Sequence, residues 1–357
     1  MLTELSIHGI RGIDELHLSE LSLVNVIAGD NGTGKTTIIE AATLLVEGDI
    51  IELARIQWRR GLARVISRDA GERRGLVSAK DIVEANNGEA LFPGFVDAGV
   101  GSINGVWAGI KWETFIEAFP QEERVGGAAG RAEIEEDPSG TDGPKLATKV
   151  SSTVEGRELR TMRRVNTVSS QFLSTTDRRP KSDDASTLGD MRLSADRTNL
   201  QNLILGLQTI RPDIVDVEYI AASSGAGFYV SLSNNRRIPL GALGGGASAL
   251  FRYLLAMQQA AGGILAIDEV EGGFHYSRID LVMKTLLAAA KISGTQIFCT
   301  THSSEVLTAI AHAAEAAEGD QDLSVISTYR DGDGKIAAQV YSERDAIMSL
   351  KLGYELR

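Results

Sequence analysis

The segment Gly29-Asp30-Asn31-Gly32-Thr33-Gly34-Lys35-Thr36 constrains this chain more than any other, because it satisfies the pattern G-x-x-x-x-G-K-[ST]. It follows the apolar run Leu23-Val24-Asn25-Val26-Ile27 and precedes a helical pattern from about Lys35 to Val46. That strand–loop–helix context is the one the motif needs. Its glycines let successive backbone N–H groups close around α and β phosphates, at the positive end of the following helix. Lys35 then reaches the β and γ phosphates, and the Thr36 hydroxyl takes one position on Mg²⁺. Asp30, Asn31, Gly32, Thr33, Gly34 and Thr37 are the neighbouring nucleotide-contact candidates. The plain alternative is a glycine turn that caps an ordinary helix.

The last third of the chain supplies a second group of candidates. Gly263–Ile267 reads as a buried strand, and it delivers the adjacent carboxylates Asp268 and Glu269 at its C-terminal end. Ligands of open α/β sheets bind at that end. Asp268 can hold Mg²⁺ through water, and Glu269 can accept a proton from an attacking water. Gln296–Cys299 reads as the next buried strand and ends in Thr300-Thr301-His302-Ser303. It brings His302 to the same edge as a donor to a γ-phosphate, with Ser303 as a helix N-cap ahead of Val306. Cys299 reads as core. Helices are expected at 247–260, 277–291 and 303–317, and a hairpin turning at Asp331-Gly332-Asp333-Gly334. Wholly apolar strands alternating with helices mean a largely parallel sheet covered on both faces, an α/β phosphate-loop NTPase.

The rest is less regular. Residues 2–10 and 16–27 read as strands, and 49–66 as a helix with Ile51, Ala54, Trp58, Leu62 and Val65 near helical spacing. The glycine-rich stretch 86–145 gives no clear pattern, with loop and at most a short strand expected at 126–144. A hairpin is expected at 146–175, turning at Glu155-Gly156 and returning toward Gln171-Phe172-Leu173. The segment 176–196 is polar and expected to be exposed. A helix at 197–210 stops before Pro212, and 214–220 and 227–232 read as strands.

Charge is distributed unevenly. The 357 residues carry a net charge of −12, yet 55–74 and 157–181 each carry +5, which leaves −22 on the remainder. Arg55, Arg59, Arg60, Arg64, Arg68, Arg73 and Arg74 form the first island; Arg157, Arg160, Arg163, Arg164, Arg178, Arg179 and Lys181 form the second. Such islands bind phosphate backbones, DNA included, or an acidic partner; two solvated faces remain the alternative. Hydrophobic residues make up 43% of the chain, too many for a disordered one. No apolar run approaches the roughly 18 residues of a membrane span, and the N-terminus has no signal-peptide pattern. The single cysteine excludes a disulfide framework and fits a reducing, cytoplasmic setting.

Leu243-Gly244-Gly245-Gly246-Ala247-Ser248 opens a helix without a strong buried strand before it. Three glycines there make a second anion site, which invites service to a second copy's nucleotide; a flexible turn is the alternative. With Ile7-His8-Gly9-Ile10-Arg11-Gly12, the phosphate loop, ILAIDEVEGGFHYS and CTTHSSE in this order, the sequence resembles the ABC-type ATPases. Within them it is most similar to the RecF, SMC and OLD-like group, including stand-alone ATPases of bacterial anti-phage systems. The matching segments lie at 2–46 and roughly 197–357, within a single ATPase domain over 1–357; 50–195 is a divergent insertion. The resemblance implies an ABC-type sheet with a helical lobe. It places Leu243, Gly244, Gly245 and Gly246 in the signature segment, with Gly244 where serine is usual. Glu271–His275 takes the D-loop region, His302 the switch histidine, and Arg11 the N-terminal arginine near the nucleotide. Gln171, with Gln57 behind it, is the choice for the Q-loop glutamine.

The resemblance further implies an ATP- and Mg²⁺-dependent ATPase that dimerises head to tail with ATP. Its expected role is DNA repair or phage defence, with a separately encoded nuclease or other effector. Higher oligomers are allowed, and no membrane attachment is expected. OLD nucleases carry a Toprim domain after the ATPase; with roughly fifty residues after His302, none is expected here. Asp331 and Asp333 have the D-G-D-G spacing of a hairpin turn rather than a metal pair. The rival readings are a transporter-type ATPase subunit, a phosphate-loop kinase and a non-hydrolysing ATP-gated scaffold.

Overall fold

The computed structural model describes residues 1–47, 100–120, 131–136, 146–154, 157–164, 168–174, 180, 184–222, 225–316 and 322–356. The strands are β1 (Leu2–Ile10), β2 (Ile13–Leu18), β3 (Val24–Gly29), β4 (Val100–Trp107), β5 (Ile110–Pro120), β6 (Arg131–Glu136), β7 (Leu146–Val154), β8 (Arg157–Arg164), β9 (Ser170–Leu173), β10 (Ile214–Ala222), β11 (Gly225–Leu232), β12 (Arg237–Pro239), β13 (Ile264–Ile267), β14 (Gln296–Thr301), β15 (Leu323–Arg330) and β16 (Ile336–Ser342). The helices are α1 (Lys35–Glu47), α2 (Asp184–Leu193), α3 (Thr198–Gln208), α4 (Gly245–Gln259), α5 (Tyr276–Ser293), α6 (Ser304–Ala316) and α7 (Glu343–Lys351).

A six-stranded sheet in the order β16-β15-β3-β14-β13-β9 organises the molecule. Its members from β9 across to β15 run parallel, and only β16 is antiparallel. Side chains alternate between its faces with period two, so two cores form on one sheet. Leu265, Ile267, Ile297, Cys299 and Val325 face the helical side, against Phe251 and Tyr253 of α4. Ile264, Ala266, Phe298 and Ile326 face the other side, against α1, β1 and β2. The parallel sheet covered on both faces is as the sequence indicates.

A seven-stranded antiparallel sheet, β2-β1-β4-β5-β8-β7-β6, lies on the α1 side, and β10-β11-β12 form a small third sheet. Gln296, fully buried, ties the first to the central sheet. Its amide accepts from the Leu2 N–H at 2.8 Å and donates to the Leu2 and Ser22 carbonyls at 2.8 and 2.7 Å. Every polar atom of the amide is thus satisfied, which a buried glutamine requires.

Three expectations need correction, and one stretch without a clear pattern takes a definite form. The strand expected at 16–27 is two, β2 and β3. Glu20 adopts a left-handed conformation (φ 57°), and Ser22 N–H turns to the Asn25 side chain at 2.9 Å. The second is the hairpin at 146–175. Its β7 and β8 do pair, with Val154 opposite Arg157, but Ser170–Leu173 does not stay with them. It leaves for the central sheet and runs parallel to β13, with Ile264 opposite Ser170. The approach is so close that a Cβ on Gly263 would sit 1.9 Å from the Ser169 carbonyl, which glycine alone avoids.

Residues 100–120 form an ordered hairpin within the stretch that gave no clear pattern. Ala108 and Gly109 both have positive φ (48° and 80°), as a tight two-residue hairpin turn demands. Third, the polar segment 176–196 contains α2, whose Leu188 and Met191 are buried. Asp184 at its start pairs with Arg252 of α4 at 3.2 Å, both groups over 90% buried. Replacing Arg252 with alanine leaves that carboxylate buried without its cation. We expect a loss of about 3 kcal/mol in folding stability, measured by urea denaturation.

The expected helix at 49–66, the arginine island at 55–74 and Gln57 lie outside the described residues. So do Arg178, Arg179 and Lys181 of the second island, whereas Arg157, Arg160, Arg163 and Arg164 lie on β8.

Candidate nucleotide site

The loop between β3 and α1 is held open by its glycines. Gly29, Gly32 and Gly34 have φ of 147°, 76° and 85°, and a Cβ on Gly29 would fall 2.3 Å from the Thr328 carbonyl. A cavity of about 540 Å³ opens at this loop. Asn31, Gly32, Gly34, Lys35, Thr36 and Thr37 form its floor. The β13 and β14 ends add Asp268, Glu269, Thr300 and His302, and Arg11, Arg330 and Ile336 close its sides. Beside the cavity, these strands end in polar groups where the chain leaves the hydrophobic core.

Lys35 is buried, and its ammonium donates to the Gly29 and Asp30 carbonyls at 2.8 and 2.7 Å. Desolvation lowers its pKa, opposed by the charges of Asp268, Asp30, Glu269 and Glu271. A cation held among carboxylates and bonded only to its own loop is poised for a stronger anion. The Thr36 hydroxyl donates to Asp268 Oδ1 at 3.2 Å, which brings the two expected metal-site residues together across the cavity. Hydroxyl and carboxylate oxygens are hard donors of the kind Mg²⁺ takes, so the residues fit that ion.

Thr300 organises the two carboxylates. Its hydroxyl donates to the same Asp268 oxygen at 2.7 Å and accepts the Glu269 N–H at 2.8 Å. Glu269 itself has φ 50°, a left-handed backbone uncommon for a residue with a side chain. Strain of this kind clusters at functional sites, and here it turns the chain as soon as the strand has delivered its acid. Beyond it, Glu271 accepts the His302 N–H at 3.0 Å; its other oxygen is buried and makes no hydrogen bond among the described residues. Arg11, also at positive φ (49°), lies 4.0 Å from Glu40 of α1.

Three expected contacts sit differently. Thr33 turns its hydroxyl away from the cavity, to the Asp30 carbonyl at 2.8 Å and the Thr328 hydroxyl at 2.7 Å. Asp30 and Thr33 do not line the cavity. Gln171 lies inside β9 opposite Leu265, two residues before the strand ends, and does not line it either. Asp331 accepts the Asp333 and Lys335 N–H groups at 3.0 and 2.9 Å, the turn-closing role its spacing indicates. Cys299 is buried in the core, and burial pushes its thiol pKa well up. The Ser303 hydroxyl accepts the Val306 N–H at 3.4 Å as an N-cap.

A family model described as "AAA domain, putative AbiEii toxin, Type IV TA system" matches residues 144–308, and a second, "AAA domain", matches 4–179. Among solved structures, two Smc heads align over nearly their whole length, each with a TM-score of 0.50. One is bound to the C-winged helix domain of ScpA (13% identity, 97% of this chain and 99% of that one). The other, bound to the C-terminal domain of ScpA from Pyrococcus furiosus, carries an extended coiled coil (10% identity, 99% of each chain). The chain has a P-loop NTPase fold like that of an SMC head. The SMC head domain from Thermotoga maritima also aligns, at 14% identity and TM-score 0.45, over 95% of this chain and 98% of that one. No curated protein matches.

In this SMC-head-like fold the glycine segment stands apart from the phosphate loop. Leu243 ends a short 3-10 turn (Leu240–Leu243), Gly244 has φ 99°, and Gly245 and Gly246 begin α4. None of the four lines the cavity. A Cβ on Gly246 would lie 3.1 Å from the Gly273 carbonyl, so the turn after Glu269 packs directly against this helix start. Sequence reasoning missed Thr300 as the bridge between the acids, and Arg330 and Ile336 altogether. Thr300 stands two residues before His302, so the strand end that marks the histidine could have found it; the other two become neighbours only through the sheet order.

Proposed function

We propose that this chain binds ATP with Mg²⁺ and hydrolyses it, as an ABC-type ATPase of the SMC and OLD-like group. The observation that carries this reading is the convergence of Thr36 and Asp268 at 3.2 Å, with Lys35 and Glu269 in the same cavity. Lys35 releases its loop carbonyls for the β and γ phosphates, and the loop N–H groups take the remaining charge. Thr36 and Asp268 would hold Mg²⁺, which when bound neutralises charge developing on the phosphates. Glu269 accepts the proton of the attacking water, and His302 donates toward the γ-phosphate. Mg²⁺-dependent phosphate release, absent from Lys35→Ala and Glu269→Gln, tests the assignment.

ATP joins two copies head to tail in this reading, with Leu243–Gly246 of one copy closing the cavity of the other. Its support is that these residues stand outside their own copy's cavity while the helix start is exposed. Gly245 gives a clean test. Its φ is ordinary, and a Cβ there meets nothing closer than 3.9 Å, so glutamate fits the fold. We expect Gly245→Glu to bind ATP as wild type does yet to remain monomeric in light scattering. Loss of at least tenfold in hydrolysis should accompany this. An ATP-dependent dimer in that variant would overturn the trans role.

The cellular role we propose is control of a separately encoded effector, a nuclease included, in DNA repair or phage defence within the cytoplasm. Among the described residues no helix is long and apolar enough to cross a membrane. The arginine islands at 55–74 and 157–181 are the surfaces proposed for DNA or an acidic partner.

A further inference from the structure

Strand β15 lies beside β3 with Thr328 opposite Gly29, so its C-terminal end runs along the phosphate loop. Thr328 and Arg330 are two apart, hence on the same face of the strand, and both reach that loop. Thr328 meets the Thr33 hydroxyl at 2.7 Å and donates to the Ala28 carbonyl at 3.0 Å. Arg330 extends a fork: one nitrogen donates to the Gly334 carbonyl of its own hairpin at 2.6 Å, and the other to the Gly32 carbonyl at 2.9 Å. Gly334 has φ 77°, which turns the hairpin back toward the arginine.

The Gly32 carbonyl shares its peptide plane with the Thr33 N–H, and in a trans peptide the two point in opposite directions. Holding the oxygen in place therefore fixes the direction of that N–H. Gly32 carries no side chain to restrict it, and a Cβ there would meet nothing within 4 Å. Left to itself, the Gly32–Thr33 peptide can flip. We propose that Arg330 is a positioning residue for phosphate binding, clamping the Gly32 carbonyl to the β15–β16 hairpin so that the loop's N–H groups are preset for an anion. Preset donors spare the ordering cost that a mobile loop pays when a ligand arrives. The inference rests on the nucleotide reading of the cavity and adds a residue to it.

The probes are inorganic pyrophosphate and Mg²⁺-ATP, titrated calorimetrically into wild-type protein, Arg330→Met and Arg330→Lys. Arg330→Met should weaken both ligands together by about three- to tenfold, the value of one exposed hydrogen bond. The loss should appear in KM, with kcat within about twofold, because the reacting groups are untouched. Arg330→Lys should remain weakened, since an ammonium keeps the charge but lacks the planar fork that spans two carbonyls. Unchanged binding of both probes in Arg330→Met overturns the proposal. So does a loss confined to ATP, which would put Arg330 on the nucleoside, and so does full recovery in Arg330→Lys, which would make charge alone sufficient. Wild-type protein that binds neither probe overturns the nucleotide reading itself, and this inference with it.

Discussion

Lys35→Ala should lower ATP affinity by roughly a hundredfold while the protein stays folded. The side chain is buried and bonded only to the Gly29 and Asp30 carbonyls, so it ties the loop to itself and not to the core. Its loss removes an ammonium whose charge faces Asp268, Asp30, Glu269 and Glu271. Those carboxylates then meet the triphosphate without a cation between them, and repulsion replaces attraction. Desolvation already lowers the lysine's pKa in the free protein, so the ammonium gains most when phosphate arrives. Calorimetric titration with ATP and Mg²⁺ measures the affinity, and thermal melting checks the fold. ATP affinity within a few fold of wild type would remove Lys35 from the site.

Much of this site was legible because its parts are local in sequence. An apolar strand followed at once by Gly-rich loop and helix, or by Asp-Glu, or by Thr-Thr-His, states both its burial and its polar end. What was not legible depends on which strands lie side by side. Arg330 and Ile336 reach the cavity only because β15 pairs with β3, across 300 residues of chain. Ser170–Leu173 reads as the return of a hairpin, yet its four residues belong beside β13, where Gly263 admits the close contact. Helix α2 is hard to see in the sequence because few apolar residues mark its buried face and a charge, Asp184, is buried with them. The ion pair that makes such burial tolerable involves Arg252, 68 positions away. The break between β2 and β3 is likewise set by Asn25 folding back on Ser22, which hydropathy does not encode.

Glu269→Gln separates binding from chemistry. The amide keeps the size of the side chain, and the backbone bond from residue 269 N–H to the Thr300 hydroxyl does not depend on it. Asp268 keeps its contacts with Thr36 and Thr300, so the proposed metal site survives the change. An amide cannot take a proton from water at neutral pH, and removing a general base of this kind costs about 10²–10⁴-fold in rate. ATP affinity should therefore hold while single-turnover hydrolysis falls by that factor. Binding without turnover also prolongs any state that ATP favours, so a dimer joined through bound ATP should accumulate in this variant by mass action. Light scattering with ATP and Mg²⁺ then reads the association directly, and removal of Mg²⁺ with EDTA should reverse it. Hydrolysis at the wild-type rate would show that another group takes the proton. His302 would then be the first to test, since it lines the same cavity and the Glu271 carboxylate anchors its backbone.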